Sequence, residues 1–294
     1  MNLTSPSQVK AWCIENGFHP NKVLGQNFLI DQNALKAIVD AGLREDEKCQ
    51  CSAVSTSDTS VHQCPSILEI GPGLGVLTEE LLKRGCKVTA IEKDPILAAR
   101  LESEKKAKVE GEQWWSNLTI IAGDALEVIA QPSTFGLQPS AFSCMVSNLP
   151  YQAGTRILLE LVQKRDLKSM TVLVQTEVAE RLAAKEGSKM RGLAGVWAQL
   201  DYDVKIVRKV AASCFWPRPE IGSSVVTLVR HDRNVGLSEE ERDLFHRLTK
   251  QAFEHRRKQL GSIFKDMIQS TARAEELSNE DWITLVKGLL HEDA

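Results

Sequence analysis

The segment Glu69-Ile70-Gly71-Pro72-Gly73-Leu74-Gly75 sets three glycines between a short apolar run and a helical pattern. Glycines there let the backbone approach a ligand closely, and open α/β sheets bind ligands at such strand ends. The spacing is not that of a dinucleotide site, because Val76 stands where G-x-G-x-x-G needs its third glycine. Nor does a Gly-Lys-Ser/Thr follow to make a phosphate loop. Alone, the turn serves structure or a site equally well. Glu92, 21 residues after Gly71, ends the next apolar run, where its carboxylate can accept both hydroxyls of a ribose. Asp124, in Gly123-Asp124-Ala125-Leu126, ends the third, where it can accept from an adenine amino group or cap a helix. Glycines, Glu and Asp at three successive strand ends suit an adenosine without phosphates, and S-adenosylmethionine is the common cofactor of that description.

The fourth run ends in Ser147-Asn148-Leu149-Pro150-Tyr151. An Asn side-chain oxygen and the carbonyl before a rigid proline can both accept from an exocyclic –NH₂, turning its lone pair toward a methyl donor. Tyr151 offers a face on which a base can stack. Here the chain resembles a class I methyltransferase acting on an amine. A second aromatic element, Cys214-Phe215-Trp216-Pro217-Arg218-Pro219, reads as an extended loop from which Phe215 and Trp216 project. A target adenine flipped out of its stem must be held between apolar or aromatic faces, and Tyr151 and Phe215 are the natural pair. A Phe-Trp-Pro loop also serves as a core anchor, and that alternative stays open.

Elements able to position these residues follow from periodicity. Ser5 can cap a first helix, with Pro6 in its first turn and Gly17 ending it. Buried strands are expected at Ile67–Ile70, Val88–Glu92, Leu118–Ala122, Ala141–Ser147 and Met170–Gln175. Helices are expected at Val76–Arg84, after Asp94-Pro95, at Thr155–Lys164 and at Glu177–Ala184. Such alternation predicts an α/β fold with a parallel, doubly wound sheet. Tyr202–Val210 and Ser224–Arg230 have no helix between them and are expected to close it as an antiparallel pair. After Arg230 the strand signals stop. A capping box, Ser238 with Glu241, opens a helix to about Phe253, followed by helices at Arg256–Met267 and Asn279–Leu290. The expected organisation is a methyltransferase domain over residues 1–232 and a small all-helical domain over 233–294.

The chain has 294 residues, 43% hydrophobic and 26% charged, which excludes disorder over most of its length. No apolar run approaches membrane-spanning length and no signal segment opens it, so a cytoplasmic location is expected. The net charge of −3 conceals two basic regions. Residues 151–230 carry thirteen Lys/Arg against eight Asp/Glu, and residues 241–265 carry seven against three. Seven cysteines at irregular spacing read as thiols. Arg44–Ser66, rich in Ser and Thr with Cys49, Cys51, His62 and Cys64, reads as a flexible insertion rather than a zinc site.

The whole set resembles the ribosomal RNA adenine N6-dimethyltransferase family, over nearly the full chain. The likeness rests on Leu24-Gly25-Gln26-Asn27-Phe28-Leu29-Ile30-Asp31, the Glu69–Gly75 turn, Asn148–Tyr151, Phe215-x-Pro-x-Pro and Ala252-Phe253-Glu254-His255-Arg256-Arg257-Lys258-Gln259-Leu260. The last is similar to the bacterial small-subunit enzymes and argues against the large-subunit resistance methylases. The resemblance implies a Rossmann-like class I sheet and S-adenosylmethionine held by Asn27, Leu29, Gly71, Glu92, Asp124 and Asn148. It implies a target adenine held by Asn148, Leu149, Pro150, Tyr151 and Phe215. The implied reaction places two methyl groups on N6 of each of two adjacent adenines near the 3′ end of 16S-type rRNA, in an assembling small subunit. Arg256, Arg257 and Lys258 are candidates for phosphate contacts. No metal and no membrane partner are expected, and the protein is expected to be a monomer. An assembly factor whose main output is binding, and more distantly a DNA adenine methyltransferase, are the other functions these residues allow. Two departures stand out: the 44–66 insertion, and Gln152-Ala153-Gly154-Thr155 where the family has an isoleucine-serine-threonine run.

Overall fold

The computed structural model describes residues 1–21, 23–47, 65–135, 137, 142–265 and 267–291. Ahead of the sheet lie α1 (Pro6–Glu15), a two-residue strand β1 (Phe28–Leu29) and α2 (Gln32–Glu47). Then β2 (Ser66–Ile70), α3 (Val76–Lys83), β3 (Lys87–Glu92), α4 (Pro95–Lys108), β4 (Leu118–Ala122) and α5 (Ala125–Ala130) alternate. They are followed by β5 (Cys144–Asn148), α6 (Gly154–Lys164), β6 (Ser169–Gln175), α7 (Thr176–Ala183) and α8 (Leu193–Asp201). The strands β7 (Tyr202–Val210), β8 (Phe215–Trp216) and β9 (Ser223–Arg230) precede α9 (Glu239–Glu254), α10 (Leu260–Phe264) and α11 (Asn279–His291).

Seven strands form one sheet in the order β4-β3-β2-β5-β6-β9-β7. The five from β4 to β6 are parallel, and β9 pairs antiparallel with both β6 and β7. The chain winds outward from β2 through β3 to β4, then returns to the other side of β2 with β5. That reversal makes the carboxyl ends of β2 and β5 the place where an open α/β sheet has a crevice. The strands part there: β2 and β5 pair only through Ile67–Cys144 and Leu68–Met145, and the Ile70 amide donates to Ser147 Oγ at 2.9 Å instead of a ladder carbonyl.

Alternate residues face opposite layers, as a pleated strand requires. Leu68, Ile70, Met145 and Val172 pack with Val128, Leu158, Leu161 and Leu182 of α5–α7. Ile67, Val88, Ala90 and Val146 pack on the other face with Ile38 and Val39 of α2 and Leu81 and Leu82 of α3. Each such aliphatic side chain contributes about 1.5–3 kcal/mol of burial. A third cluster joins Phe245, Leu248, Phe264, Trp282 and Val286 to Val196 and Leu200. The helices after Arg230 therefore do not enclose their core alone, because α8 completes it. Arg242 Nη1 to Asp201 Oδ2 at 2.8 Å, buried, and Arg191 Nη2 to Asn279 Oδ1 at 2.9 Å fasten the same junction.

Gly195 shows how close α7 and α8 approach. A Cβ there would collide with the Arg181 carbonyl, a backbone atom that cannot turn away. Gly195→Ala is expected to lower the unfolding free energy by about 2–3 kcal/mol, read as an earlier urea midpoint at constant slope. An unshifted midpoint would contradict this packing.

Several boundaries differ from the sequence reading. The fourth strand starts at Cys144, with residues 138–141 outside the description. α2 runs on to Glu47, so the expected insertion starts later than Arg44; residues 48–64, with Cys49, Cys51, His62 and Cys64, lie outside the described residues. The helix expected over Arg256–Met267 is a turn at 255–258 followed by the short α10. Its backbone is drawn into tertiary bonds, with Leu260 N donating to Ala272 O and Gly261 N to Ser270 O, both at 2.9 Å. No described helix is long and apolar enough to cross a membrane.

Candidate active site

The carboxyl ends of β2, β3, β4 and β5 open on one cavity of about 310 Å³. Asn27, Leu29, Gly71, Glu92, Asp124, Asn148, Leu149, Pro150 and Tyr151 all line it, and Phe215 does not. The glycine turn bends back tightly: Gly75, at φ 84°, starts α3 in a conformation that side chains resist. Gly73 N donates to Glu92 Oε2 and Asp94 N to Glu92 Oε1, both at 2.9 Å, so the turn and the β3 end are tied through one buried carboxylate. Each oxygen keeps a second lone pair for a ligand hydroxyl. Asp124 caps α5 through Leu126 N at 2.9 Å, while its Oδ2 accepts from Lys93 Nζ at 2.7 Å. It is thus a cap and a cavity residue at once, and Lys93 holds its carboxyl below the usual range.

Asn148 stands at the crevice. Its Nδ2 donates to the Asn27 carbonyl at 3.2 Å, which fixes which way the amide points. Its Oδ1 is buried and has no hydrogen-bond partner. A buried acceptor left unpaired costs about 1–3 kcal/mol, so the protein sustains here an acceptor that a ligand donor would satisfy.

The family model for ribosomal RNA adenine dimethylase matches residues 17–287. The chain belongs to the ribosomal RNA adenine dimethylase family. The ribosomal RNA small subunit methyltransferase A of Lactobacillus johnsonii is 32% identical over 282 residues, 95% of this chain and 89% of that protein. That of Deinococcus radiodurans is 38% identical over 230 residues, 77% and 67% of the respective chains. Among solved structures, a dimethyladenosine transferase from Plasmodium falciparum superposes with a TM-score of 0.67 at 22% identity, covering 90% of this chain and 97% of that one. The 23S rRNA methyltransferase ErmE superposes at 0.61 with 20% identity, covering 90% and 99%. These likenesses show the class I methyltransferase fold. As a family member the chain is a methyltransferase directed at ribosomal RNA adenine.

In this dimethylase family member two expected features sit differently. Phe215 and Trp216 do not project: β8 pairs with β1 through Phe28–Trp216 and Leu29–Phe215, and Phe215 is buried with Leu29, Val210 and Val225. Its ring meets Tyr151 edge-on, centroids 6.4 Å apart at 68°, so no base-wide slot lies between them. Arg256 is committed to structure, donating to the Lys189 carbonyl at 2.6 Å beside Glu275, whereas Arg257 and Lys258 are exposed. The departure Gln152-Ala153-Gly154 puts Gln152 and Ala153 in the cavity wall, and Gly154 lets α6 start against Leu149, whose Cβ would lie 3.0 Å from an added Cβ.

Three contributors escaped the sequence reading as individual residues. Gln26 latches the N-terminal segment to Asp94 Oδ2 at 2.9 Å. Lys93 is the partner of Asp124. Glu69, part of the glycine motif, is a buried acid in the cavity wall, and burial pushes it up from an ordinary 4.5 to about 8. The folded protein therefore keeps that proton at pH 7 while the unfolded chain releases it above about 4.5. Stability conferred by the protonated form is full below 4.5, falls as pH rises toward 8, and levels beyond. The advantage of Glu69→Gln over the parent is thus expected to grow between pH 5 and pH 8, reaching at most about 5 kcal/mol. Urea curves of the two proteins that stay parallel across that range would contradict it.

Proposed function

We propose that this protein transfers methyl groups from S-adenosylmethionine to N6 of adenine in small-subunit rRNA, two on each of two adjacent adenines near the 3′ end of a 16S-type RNA. It acts on an assembling subunit in the cytoplasm, as a monomer. The observation that carries this reading is the unpartnered Oδ1 of Asn148, whose Nδ2 donates to the Asn27 carbonyl, at the crevice of a methyltransferase sheet.

The lining suits such a cofactor. Of its ionisable residues, Glu69 keeps its proton at pH 7 and Lys93 is already paired to Asp124, which leaves the Glu92 carboxylate uncompensated. An acid-lined cavity favours a sulfonium and disfavours phosphates. Glu92 would take the ribose hydroxyls, Asp124 the adenine amino group, and Asn27, Leu29 and Gly71 would shape the wall. When bound, S-adenosylmethionine supplies an electrophilic methyl group.

The protein's own residues prepare the nucleophile. Asn148 Oδ1 and the Leu149 carbonyl, fixed ahead of Pro150, accept the two N–H bonds of the target amine. That geometry tilts the nitrogen out of conjugation and turns its lone pair toward the methyl donor. Once the amine has taken a methyl group, Asn148 Oδ1 or the Leu149 carbonyl would hold it by its remaining N–H while the excess proton leaves to solvent. Tyr151 stacks on the base, and Phe215 buttresses the tyrosine from within the core. The helical 233–294 region faces the RNA with Arg257 and Lys258 on phosphates, while Arg256 braces their turn.

Purified protein with methyl-labelled S-adenosylmethionine and separated, unmodified ribosomal subunits tests this. Label is expected in the small-subunit RNA. Label confined to the large subunit would reassign the substrate, and tight small-subunit binding without label would leave an assembly role alone.

A further inference from the structure

We infer that Ser223 is a positioning residue for Tyr151, and that the link between them matters more to the second methyl transfer than to the first. This rests on the adenine-methylating reading above. Ser223 opens β9, is fully buried, and does not line the cavity. Its Oγ lies 2.7 Å from Tyr151 Oη. Neighbouring strands fix it from both sides, opposite Gln175 of β6 and Val210 of β7. The flanking residues are pinned as well: Thr176 N donates to the Gly222 carbonyl at 3.0 Å, and Ser224 Oγ lies 3.2 Å from Thr176 Oγ1. Tyr151, in contrast, sits in the turn between β5 and α6, half-buried, with the edge of Phe215 as its aromatic neighbour. The hydroxyl bond therefore ties the far end of a loop-borne ring to a strand residue paired on both sides. It sets the angle at which the ring presents its face to a base.

The consequence for two successive transfers follows from counting donors. The unmodified amine has two N–H bonds and can engage both Asn148 Oδ1 and the Leu149 carbonyl. After the first transfer one N–H remains, so one acceptor contact is gone while the base must still be aimed. Stacking on Tyr151 then carries a larger share of the aiming, and any looseness in the ring falls mainly on the second step.

The test uses Ser223→Ala, Tyr151→Phe and the double variant, with S-adenosylmethionine and unmodified small subunits. Mass spectrometry of digested RNA reads the ratio of N6-monomethyl- to N6,N6-dimethyladenosine at early times. Each single variant is expected to raise that ratio about three- to tenfold, the range that loss of one hydrogen bond allows. The double variant should match the singles, since both remove the same bond. A purely structural role for Ser223 would lower both products together and leave the ratio unmoved, which overturns the inference, as would additive effects in the double variant. Tyr151→Phe keeps the ring and the buried serine, so it decides the matter if Ser223→Ala fails to fold: an unchanged ratio overturns the proposal. If the unaltered protein methylates no adenine, the underlying functional reading fails instead.

Discussion

Asn148→Ala is expected to slow methyl transfer by about a hundred- to a thousandfold while leaving the protein at least as stable. The rate loss follows from removing the acceptor proposed to face the reacting amine, the kind of group whose deletion costs most in kcat. The stability follows from the orphaned Oδ1: alanine removes a buried acceptor that nothing in the protein satisfies, against the loss of one bond from Nδ2 to the Asn27 carbonyl. Single-turnover rates and thermal melts on the same preparation separate the two effects. A near-normal rate would remove Asn148 from the chemistry, and a melt well below the parent's would contradict the stability half.

Glu92→Ala carries the second large effect, on cofactor affinity rather than on chemistry. The carboxylate receives the Gly73 and Asp94 amides and keeps lone pairs that would accept the hydroxyls of the proposed cofactor's ribose. Hydrogen bonds from hydroxyls to a charged acceptor contribute about 1.5–3 kcal/mol each, so losing two weakens binding about a hundredfold or more. The glycine turn also loses its tie to β3, which adds to the loss. Calorimetric titration with S-adenosylmethionine should show this Kd change. Binding within threefold of the parent would mean that the ribose lies elsewhere.

The strands that build the site were legible because each is a short apolar run closed by a chemically distinctive residue. Glu92, Asp124 and Asn148 could be read directly, since the end of a parallel strand is also the mouth of the sheet. Phe215 could not. Its place depends on a two-residue pairing with Phe28 and Leu29, nearly two hundred positions away, which no local pattern announces. α8 went unseen for a related reason: Gly192 and Gly195 weaken its helical signal, yet Gly195 is what lets its backbone approach α7. In the 256–267 stretch, strong helix formers yield to tertiary bonds around Gly261. Glu69 was visible as a letter in a motif, but its raised pKa comes from burial under α3 and the neighbouring strands, a property of packing rather than of spacing.

Nucleoside mass spectrometry of the 3′-terminal fragment of small-subunit RNA, after reaction with S-adenosylmethionine and either the parent or Asn148→Ala, tests the central claim most directly. Two adjacent N6,N6-dimethyladenosines with the parent, and none with the variant, are the predicted result. Methylation at another base or another atom, or dimethyladenosine formed undiminished by Asn148→Ala, would contradict the assignment of this crevice as the place where an adenine amine meets its methyl donor.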